Sequence, residues 1–305
     1  MKKFLSICFI AVLTVFIAAC GQTAEPVKNK EKETNNKVVA NDENNQKEKQ
    51  VKESDLTLQE VFDKSTEANK ELKSFSSKMD MDQQMEVDGE SFDIKMKADM
   101  KYITDPITLH QVMTTSMDMG QGNGEEKIEM EAYLTDKGFY MFEPTEKMWI
   151  KLPVEMTDQL LQLQDGQTNP SDQLEQLKTF VDDFDFKQDN SQYILHLKAD
   201  GEKFTDFIKE TAMNSMPAEM QDPELFEGMD INAVEYEIFI DKETFYTTKM
   251  NIKMDTTLNM DGQKMSMRQN IKSDYADYNK IDSIEVPQEA LDNAQEIDFN
   301  DLENQ

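Results

Sequence analysis

The feature that most constrains this chain is a two-residue alternation of apolar and polar side chains that runs through several long segments. Apolar residues occupy most odd positions from Phe75 to Val87, and after Asp88-Gly89 they occupy the even positions from Phe92 to Tyr102. Because successive side chains of a strand point to opposite faces, this period predicts strands with one apolar and one charged face. Asp-Gly between two such runs is a strong hairpin signal, so a long antiparallel meander is predicted.

The same alternation predicts more strands and a second meander later in the chain. Further strands of the first meander are expected at residues 109–119, 128–134, 139–142 and 148–152. The second meander spans residues 234–271, with an Asp-Gly hairpin at Asp261-Gly262 that resembles the one at 88–89 and raises internal duplication as a hypothesis. The alternation also explains a mean hydropathy of −0.71 without invoking disorder.

Helical periodicity flanks and interrupts the strands. Thr57 and Glu60 form a capping box before a first helix. Other helices are predicted at 156–163, at 170–184 after an Asn169 cap, at 204–212 and around Ala290. A short hairpin is expected at residues 189–190. Residues 216–232 contain two prolines and no period, which predicts a long loop able to act as a lid.

The N-terminus has the features of a secretory signal. Two lysines precede residues 4–19, which carry no charge, and this run is shorter than the ~20 apolar residues that span a bilayer. The junction Ile17-Ala18-Ala19-Cys20-Gly21 resembles a bacterial lipoprotein signal. That resemblance implies removal of residues 1–19 and attachment of a diacylglycerol to Cys20, with acyl chains such as palmitate forming a lipid anchor. An ordinary signal with a chance cysteine is the alternative.

Residues 20–54 are expected to be the lipidated cysteine and a disordered tether, and residues 55–305 the folded domain. From residue 21 to 54 the chain has seven lysines, seven acidic residues and few apolar ones, so it cannot bury enough surface to order itself. A coil of that length has a typical reach of ~30–35 Å. When the two lysines of residues 1–19 and the charges of the tether are subtracted, the domain has 23 basic and 55 acidic residues.

Charge and cysteine content exclude several functions. A formal net charge of −30 excludes nucleic acid as a partner, because phosphate binding requires a basic face. The two cysteines of the chain are Cys8, lost with the leader, and Cys20, blocked by lipid. We therefore expect no intramolecular disulfide, thiol catalysis or cysteine metal site, and the domain must be held by packing or by a ligand.

The methionines admit three interpretations. All 21 methionines after the initiator lie between Met79 and Met267, mostly on the apolar phase of strands. They could fill gaps in a core, line a surface for apolar ligands, or bind copper(I) through thioether pairs. The candidate pairs are Met79 with Met81, Met117 with Met119, and Met265 with Met267. Strand alternation alone places such pairs on one face, which favours the first two interpretations.

The sequence predicts no catalytic, cofactor-binding or metal-binding residue. Neither His110 nor His196 lies near a Glu-x-x-His motif or a Ser-centred glycine motif, and both are interpreted as ordinary strand residues. The Gly120–Gly124 stretch joins two strands, whereas a phosphate-binding loop feeds a helix. Asp182-Asp183-Phe184-Asp185 contains three acidic residues but lacks the glycine and the glutamate of a calcium loop, and it is interpreted as a helix end.

Taken together, these features resemble a known group of proteins. The lipoprotein signal, the charged tether, Leu72-Lys73-Ser74-Phe75 after the first helix, and the ending at 284–294 are similar to uncharacterised lipoproteins of Bacillus-like bacteria. Their domain looks like the LolA, LppX and LprG lipoprotein-carrier fold, and the similarity covers residues 55–297. It implies an α+β domain with a strongly curved antiparallel β half-barrel of two meanders, whose concave face is covered by helices around an apolar cavity for acyl chains.

These observations lead to one expected function and two alternatives. The expected protein is a non-enzymatic lipoprotein, held in the cell membrane on its extracytoplasmic face by the lipid on Cys20, that binds a lipid-like or amphipathic ligand. One alternative is a cell-envelope interaction or scaffold protein with a filled core. The other is a transporter's substrate-binding lipoprotein, which is disfavoured because that class needs alternating strands and helices. The ligand's identity, protein partners and oligomeric state are left open.

Overall fold

The computed structural model describes residues 23–26, 54–87, 89–118, 125–164, 174, 176–199, 202–214, 228–260 and 263–296. Several predicted features lie outside the described residues. They are the leader at residues 1–19, Cys20 and most of the tether, Asp88 of the first hairpin, Met119, Gly120–Gly124, the cap at Asn169, residues 216–227 of the expected loop, and the hairpin residues Asp261-Gly262.

The described chain forms one sheet of 13 strands in the order β1-β8-β9-β10-β11-β12-β2-β3-β4-β5-β6-β7-β13. The strands are β1 (Glu25–Pro26), β2 (Ser74–Val87), β3 (Glu90–Thr104), β4 (Ile107–Asp118), β5 (Glu125–Thr135), β6 (Gly138–Glu143), β7 (Met148–Lys151), β8 (Phe184–Gln188), β9 (Gln192–Ala199), β10 (Met229–Asp241), β11 (Thr247–Met260), β12 (Gln263–Ala276) and β13 (Gln295–Glu296).

Two antiparallel meanders make up this sheet, and they meet at one seam. Strands β2–β7 form the first meander and β8–β12 the second, with β12 pairing antiparallel to β2. At that seam Met267 lies opposite Met85, and Ala276 lies opposite Ser76. The α+β class with a curved, open antiparallel sheet is therefore confirmed.

Short strands from the two ends of the described chain cover both edges of the sheet. β1 pairs parallel to β8, and β13 pairs parallel to β7. An uncovered edge would present unpaired backbone groups to other chains, so these two strands reduce the risk of edge-to-edge association.

Four α-helices and one 3-10 helix have both ends within the described residues. They are α1 (Leu58–Lys70), α2 (Val154–Gln164), the 3-10 helix (Lys178–Asp183), α3 (Glu202–Asn214) and α4 (Gln288–Asn293). The predicted capping box begins α1: the Thr57 backbone N–H donates to Glu60 Oε2 at 2.8 Å, and the Glu60 backbone N–H donates to Thr57 Oγ1 at 3.3 Å. Among the helices that the structure describes, none is long and apolar enough to cross a membrane.

Buried side chains fall into three clusters. The main cluster packs α1, the 3-10 helix and α3 against the apolar face of β8–β11, with Phe62 and Ile238 fully buried. The second cluster surrounds Phe75 at the start of β2 and includes side chains of α2. The third lies on the opposite face of β5–β7, where α4 covers Tyr133 and Trp149. Thus α1, α2, α3 and the 3-10 helix pack on the apolar face of the sheet, and the short helix α4 packs on the opposite face.

Three predicted boundaries differ from the structure. Phe184, expected at the end of a helix, begins β8, because the 3-10 helix ends one residue earlier. The expected loop at 216–232 is wrong from Met229 onward, where β10 begins. Thr23–Pro26, expected within the disordered tether, instead lie against the domain, where Ala24 is buried in the main cluster.

Candidate functional site

The apolar face of the sheet carries a set of methionines away from the three buried clusters. We define the methionine face as the half-buried methionines on the apolar phase of β12, β2, β3, β4 and β5. They are Met79, Met81, Met85, Met96, Met113, Met117, Met130, Met265 and Met267. Side chains that are half-buried and outside a packed cluster retain apolar surface that a ligand can cover.

Strand register brings these methionines together across strands. Met81 lies opposite Met96, Met85 opposite Met267, and Met113 opposite Met130. Directly opposite residues on one face have Cβ atoms roughly 4.5–5.5 Å apart, so their side chains touch. Two of the three pairs expected from sequence, Met79 with Met81 and Met265 with Met267, lie on this face, and Met117 of the third pair does as well.

A polar pair interrupts the methionine face at the seam between the meanders. Gln269 on β12 lies opposite Gln83 on β2, and its Nε2 donates a hydrogen bond to Gln83 Oε1 at 2.7 Å. Each amide has capacity for more hydrogen bonds than the one they share. The face therefore offers hydrogen-bonding groups beside its apolar surface.

A cavity of about 850 Å³ crosses six consecutive strands, from β9 through β10, β11, β12 and β2 to β3. Most of these strands contribute three consecutive residues to the lining: one from the apolar phase and its two sequence neighbours. On β2, for example, Gln83 belongs to the apolar phase and Asp82 and Gln84 flank it. Because the flanking residues point to the opposite face, most of the lining belongs to the charged face. We call this cavity the cross-strand groove.

The lining confirms that the groove opens on the charged face. Val234 is a lining residue, yet its side chain is only 2% exposed and packs in the main cluster, so its contribution is from the main chain. Met254 is the one methionine among the described residues that line the groove. The groove is thus separate from the methionine face, and it is not the apolar cavity that the sequence resemblance implied.

Charges in the cross-strand groove are balanced, in contrast to the acidic chain. Its lining contains four basic and four acidic residues. Lys253 Nζ lies 3.2 Å from Glu235 Oε2, and Arg268 Nε lies 3.3 Å from Asp255 Oδ2. Hydrogen bonds from His196 and Lys253 lower the pKa of the Glu235 carboxyl group. These ion pairs cross neighbouring strands and fix the long side chains that border the groove.

The two histidines both lie in cross-strand pairs with carboxylates. His196 Nε2 lies 2.7 Å from Glu235 Oε1. His110 Nε2 lies 3.0 Å from Glu131 Oε1, and its ring stacks on Tyr133 with centroids 4.3 Å apart. Burial, with a hydrogen bond to Glu131, raises the pKa of the Tyr133 hydroxyl. Within the part of the chain that is described, no three His, Cys, Asp or Glu side chains are placed to hold a metal ion.

Sequence reasoning found the methionine face but missed the cross-strand groove. The methionines follow from the two-residue period, which assigns every strand residue to a face. The groove depends on which strands are neighbours and on how the sheet bends. With 31% charged residues in the chain, no local signal separates its lining from other charged positions.

Comparisons with known proteins found similarity to several solved structures. The crystal structure of LprF from Mycobacterium bovis matches with 12% identity and a TM-score of 0.39, over 75% of this chain and 96% of that one. A DUF1329 family protein from Desulfovibrio piger matches with 11% identity and a TM-score of 0.23, over 75% of this chain and 95% of that one. A beta-barrel-like DUF1849 protein from Brucella abortus matches with 9% identity and a TM-score of 0.21, over 68% and 99%.

No curated protein matches this sequence. A family model does, and its match runs from the capping box of α1 to the start of β13, which is most of the described domain. The chain belongs to the family of unknown function DUF6612, whose model matches residues 57–295.

Proposed function

We propose that this protein is a non-enzymatic binding protein, anchored by a lipid on Cys20 at the extracytoplasmic face of the cell membrane, whose methionine face takes up a lipid-like or amphipathic ligand. The observation that carries the proposal is the set of nine half-buried methionines that lie outside the three clusters formed by the described residues. A domain that needed these side chains only as core would pack them under helices, as it packs Phe62 and Ile238.

The chemistry of methionine suits an acyl chain. Its unbranched, polarizable side chain changes conformation easily, so a surface of methionines can fit apolar ligands of different length and shape. The Gln83–Gln269 pair lies on the same face and supplies hydrogen-bonding groups for a polar part of the ligand. The sheet therefore holds both kinds of group on its apolar face.

Ligand uptake is tested by native mass spectrometry of the chain without its lipid. A co-purifying mass that organic solvent removes supports a carrier, whereas a mass equal to that of the chain alone contradicts it. The matched variants are Met81→Lys and Asp80→Lys, which place the same charge on opposite faces of β2. The affinity of each variant for a fluorescent fatty acid is then measured. We expect Met81→Lys to bind it about 10-fold more weakly, because the ligand loses the contacts of one methionine at ~0.8 kcal/mol per buried methylene. Equal affinities in the two variants would refute the assignment of the face.

Membrane attachment is tested separately. We expect Cys20→Ala to release the protein into the medium, because the acyl chains are its attachment to the bilayer. Cys8→Ala is the matched control, since Cys8 lies in the leader and its loss leaves the anchor intact. Retention of Cys20→Ala in the membrane fraction would show that the anchor assignment is wrong.

A second candidate function is favoured by the cross-strand groove. A cavity of about 850 Å³ with balanced charges on the charged face is a surface where another cell-envelope component can dock. The protein would then be an interaction protein whose methionines support the sheet. An absence of co-purifying lipid, together with lost partner capture in Arg268→Glu but not in Met81→Lys, would favour this function over the carrier.

A further inference from the structure

The segment Thr23–Pro26 contacts the domain at the free edge of β8. Glu25 pairs with Lys187 and Pro26 with Gln188 in a parallel ladder, and Thr23 forms an isolated bridge with Thr57. Ala24, between these contacts, is 7% exposed and belongs to the main buried cluster. Four residues that immediately follow Cys20-Gly21-Gln22 are therefore attached to the folded domain by backbone pairing and by burial.

One buried amide holds this segment together with the start of the domain. Gln188 is 2% exposed, and its Nε2 donates to the backbone oxygens of Ala24 at 2.9 Å and Ser54 at 3.2 Å. Its Oε1 accepts from the Ser54 backbone N–H at 2.9 Å and from Lys242 Nζ at 2.7 Å. These bonds use both donors and both lone pairs of the amide. The chain before residue 27 and the chain after residue 53 thus meet at one side chain.

We propose that Thr23–Pro26 is a clip that fastens the N-terminus to the domain, so that Gly21-Gln22 is the whole spacer between Cys20 and the folded protein. Residues 27–53 are then bypassed, because both of their flanks are held at Gln188. Two to three residues reach at most about 10 Å, whereas the full segment 21–54 as a coil reaches ~30–35 Å. In the anchored protein, and resting on the proposed lipid at Cys20, the clip keeps the β8 end of the domain at the membrane surface.

The clip also orients the methionine face. Strand register connects Gln188 with Tyr193, Ile240 and Thr247. Two residues after Thr247, Lys249 pairs with Asp274 near the end of β12, so these residues share one end of the sheet. β12 extends over 14 residues from there, or roughly 45 Å at ~3.3 Å per residue. The Met85–Met267 pair lies near the far end. A clipped domain therefore presents this part of the methionine face away from the membrane that holds its anchor.

The clip is tested by cross-linking in the full chain. Cys8→Ser with Cys20→Ser removes every cysteine, and Glu25→Cys with Lys187→Cys then places thiols at register partners, within the Cα separation that a disulfide needs. The control pair is Glu25→Cys with Lys272→Cys, an exposed lysine on β12, five strands from β1. We expect the Lys187 pair to form a disulfide at least tenfold faster than the control pair under mild oxidation. Equal rates would overturn the proposal.

A third variant separates docking from domain stability and from lipidation. Ala24→Asp places a carboxylate in an apolar site but changes no residue of the domain, so the fold remains while the clip opens. Its cross-linking rate to Lys187→Cys should fall to that of the control pair, and an unchanged rate would contradict the clip. All these chains lack Cys20, so a failed lipid assignment appears only in the Cys20→Ala fractionation and leaves the cross-linking result unaffected.

Discussion

Replacing Phe75 with alanine should produce a large loss of stability, because this ring stands where the two meanders join. Phe75 is fully buried at the start of β2. Its ring centroid lies 5.4 Å from that of Tyr102 on β3, 6.3 Å from that of Tyr275 on β12, and 6.3 Å from that of Tyr278 beyond β12. Tyr278 in turn stacks on Tyr246 at 4.3 Å. The ring therefore supports aromatic contacts from both sides of the seam.

The expected size of the effect follows from this burial. Truncating a fully buried phenylalanine to alanine costs about 3–5 kcal/mol, from lost transfer energy and from the cavity left behind. With an unfolding entropy of roughly 2.1 cal/mol/K per residue over the residues 57–295, a loss of 4 kcal/mol lowers Tm by about 8 °C. The backbone pairing of β2 with β12 and β3 is unchanged, so the variant should still fold.

The assay is urea denaturation followed by circular dichroism, with a thermal scan of the same samples. Phe92→Ala is the matched control, because Phe92 is a half-buried phenylalanine on the same apolar face near the far end of β3. We expect that control to lose about 1 kcal/mol, in proportion to the smaller area it buries. If Phe75→Ala cost no more than Phe92→Ala, the second cluster would not be the joint between the meanders.

Two further predictions concern a turn and the alkaline range. Gly228→Ala should lower the free energy of unfolding, measured by urea denaturation, by about 3 kcal/mol, and Gly89→Ala should lower it by about 1 kcal/mol. Both glycines have positive φ, but only at Gly228 would an added Cβ clash with a neighbour, the Asn259 backbone oxygen. A Cβ at Gly89 meets nothing within 4 Å. Burial raises the pKa of Tyr236 to about 12. As the pH rises, the unfolded chain loses the Tyr236 proton before the folded chain does. The free energy of unfolding is therefore unaffected below pH 10 and declines by about 2 kcal/mol up to pH 12. Tyr236→Phe should show a smaller decline, and equal pH profiles of the two chains would contradict this.

The sequence predicts which face of the sheet each strand residue lies on, because that depends only on the residue's position in the two-residue alternation. The odd positions of β2 and the even positions of β3 lie on the apolar face, as predicted. The capping box of α1 was equally local and is confirmed. Such features need no knowledge of distant residues, which is why single-sequence reasoning captured them.

Strand neighbours were not predictable in the same way. β2 and β12 pair although Met85 and Met267 are far apart in sequence, and a face assignment does not say which strand lies beside which. The start of β10 was missed for a different reason. A register shift between Ile231 and Ala233 moves the apolar phase from odd residues, Met229 and Ile231, to even residues from Val234 onward. That bulge breaks the alternation that identifies a strand.

The candidate site likewise contains one part that the sequence predicts and one part that it does not. The methionine face could be predicted because it is a property of phase, while the cross-strand groove and the clip depend on tertiary contacts. β1 contains two residues within a polar stretch, and the donor that holds the Ala24 backbone oxygen is the buried Gln188, distant in sequence. No period or motif connects them.

The distribution of packing along the strands links the fold to the proposed binding. Near the clip, aromatic rings and helices fill the apolar face, as Phe75 and Phe62 show. Toward the far end the same strands carry half-buried methionines outside the three clusters of the described residues. Among those residues, their order depends mainly on backbone pairing and on cross-strand contacts such as Met81 with Met96. Regions with fewer buried contacts open at lower free energy than the core. A ligand entering there can separate methionines from one another without disturbing the cluster around Phe75, and the packed end can then hold the sheet in register while the far end changes its shape.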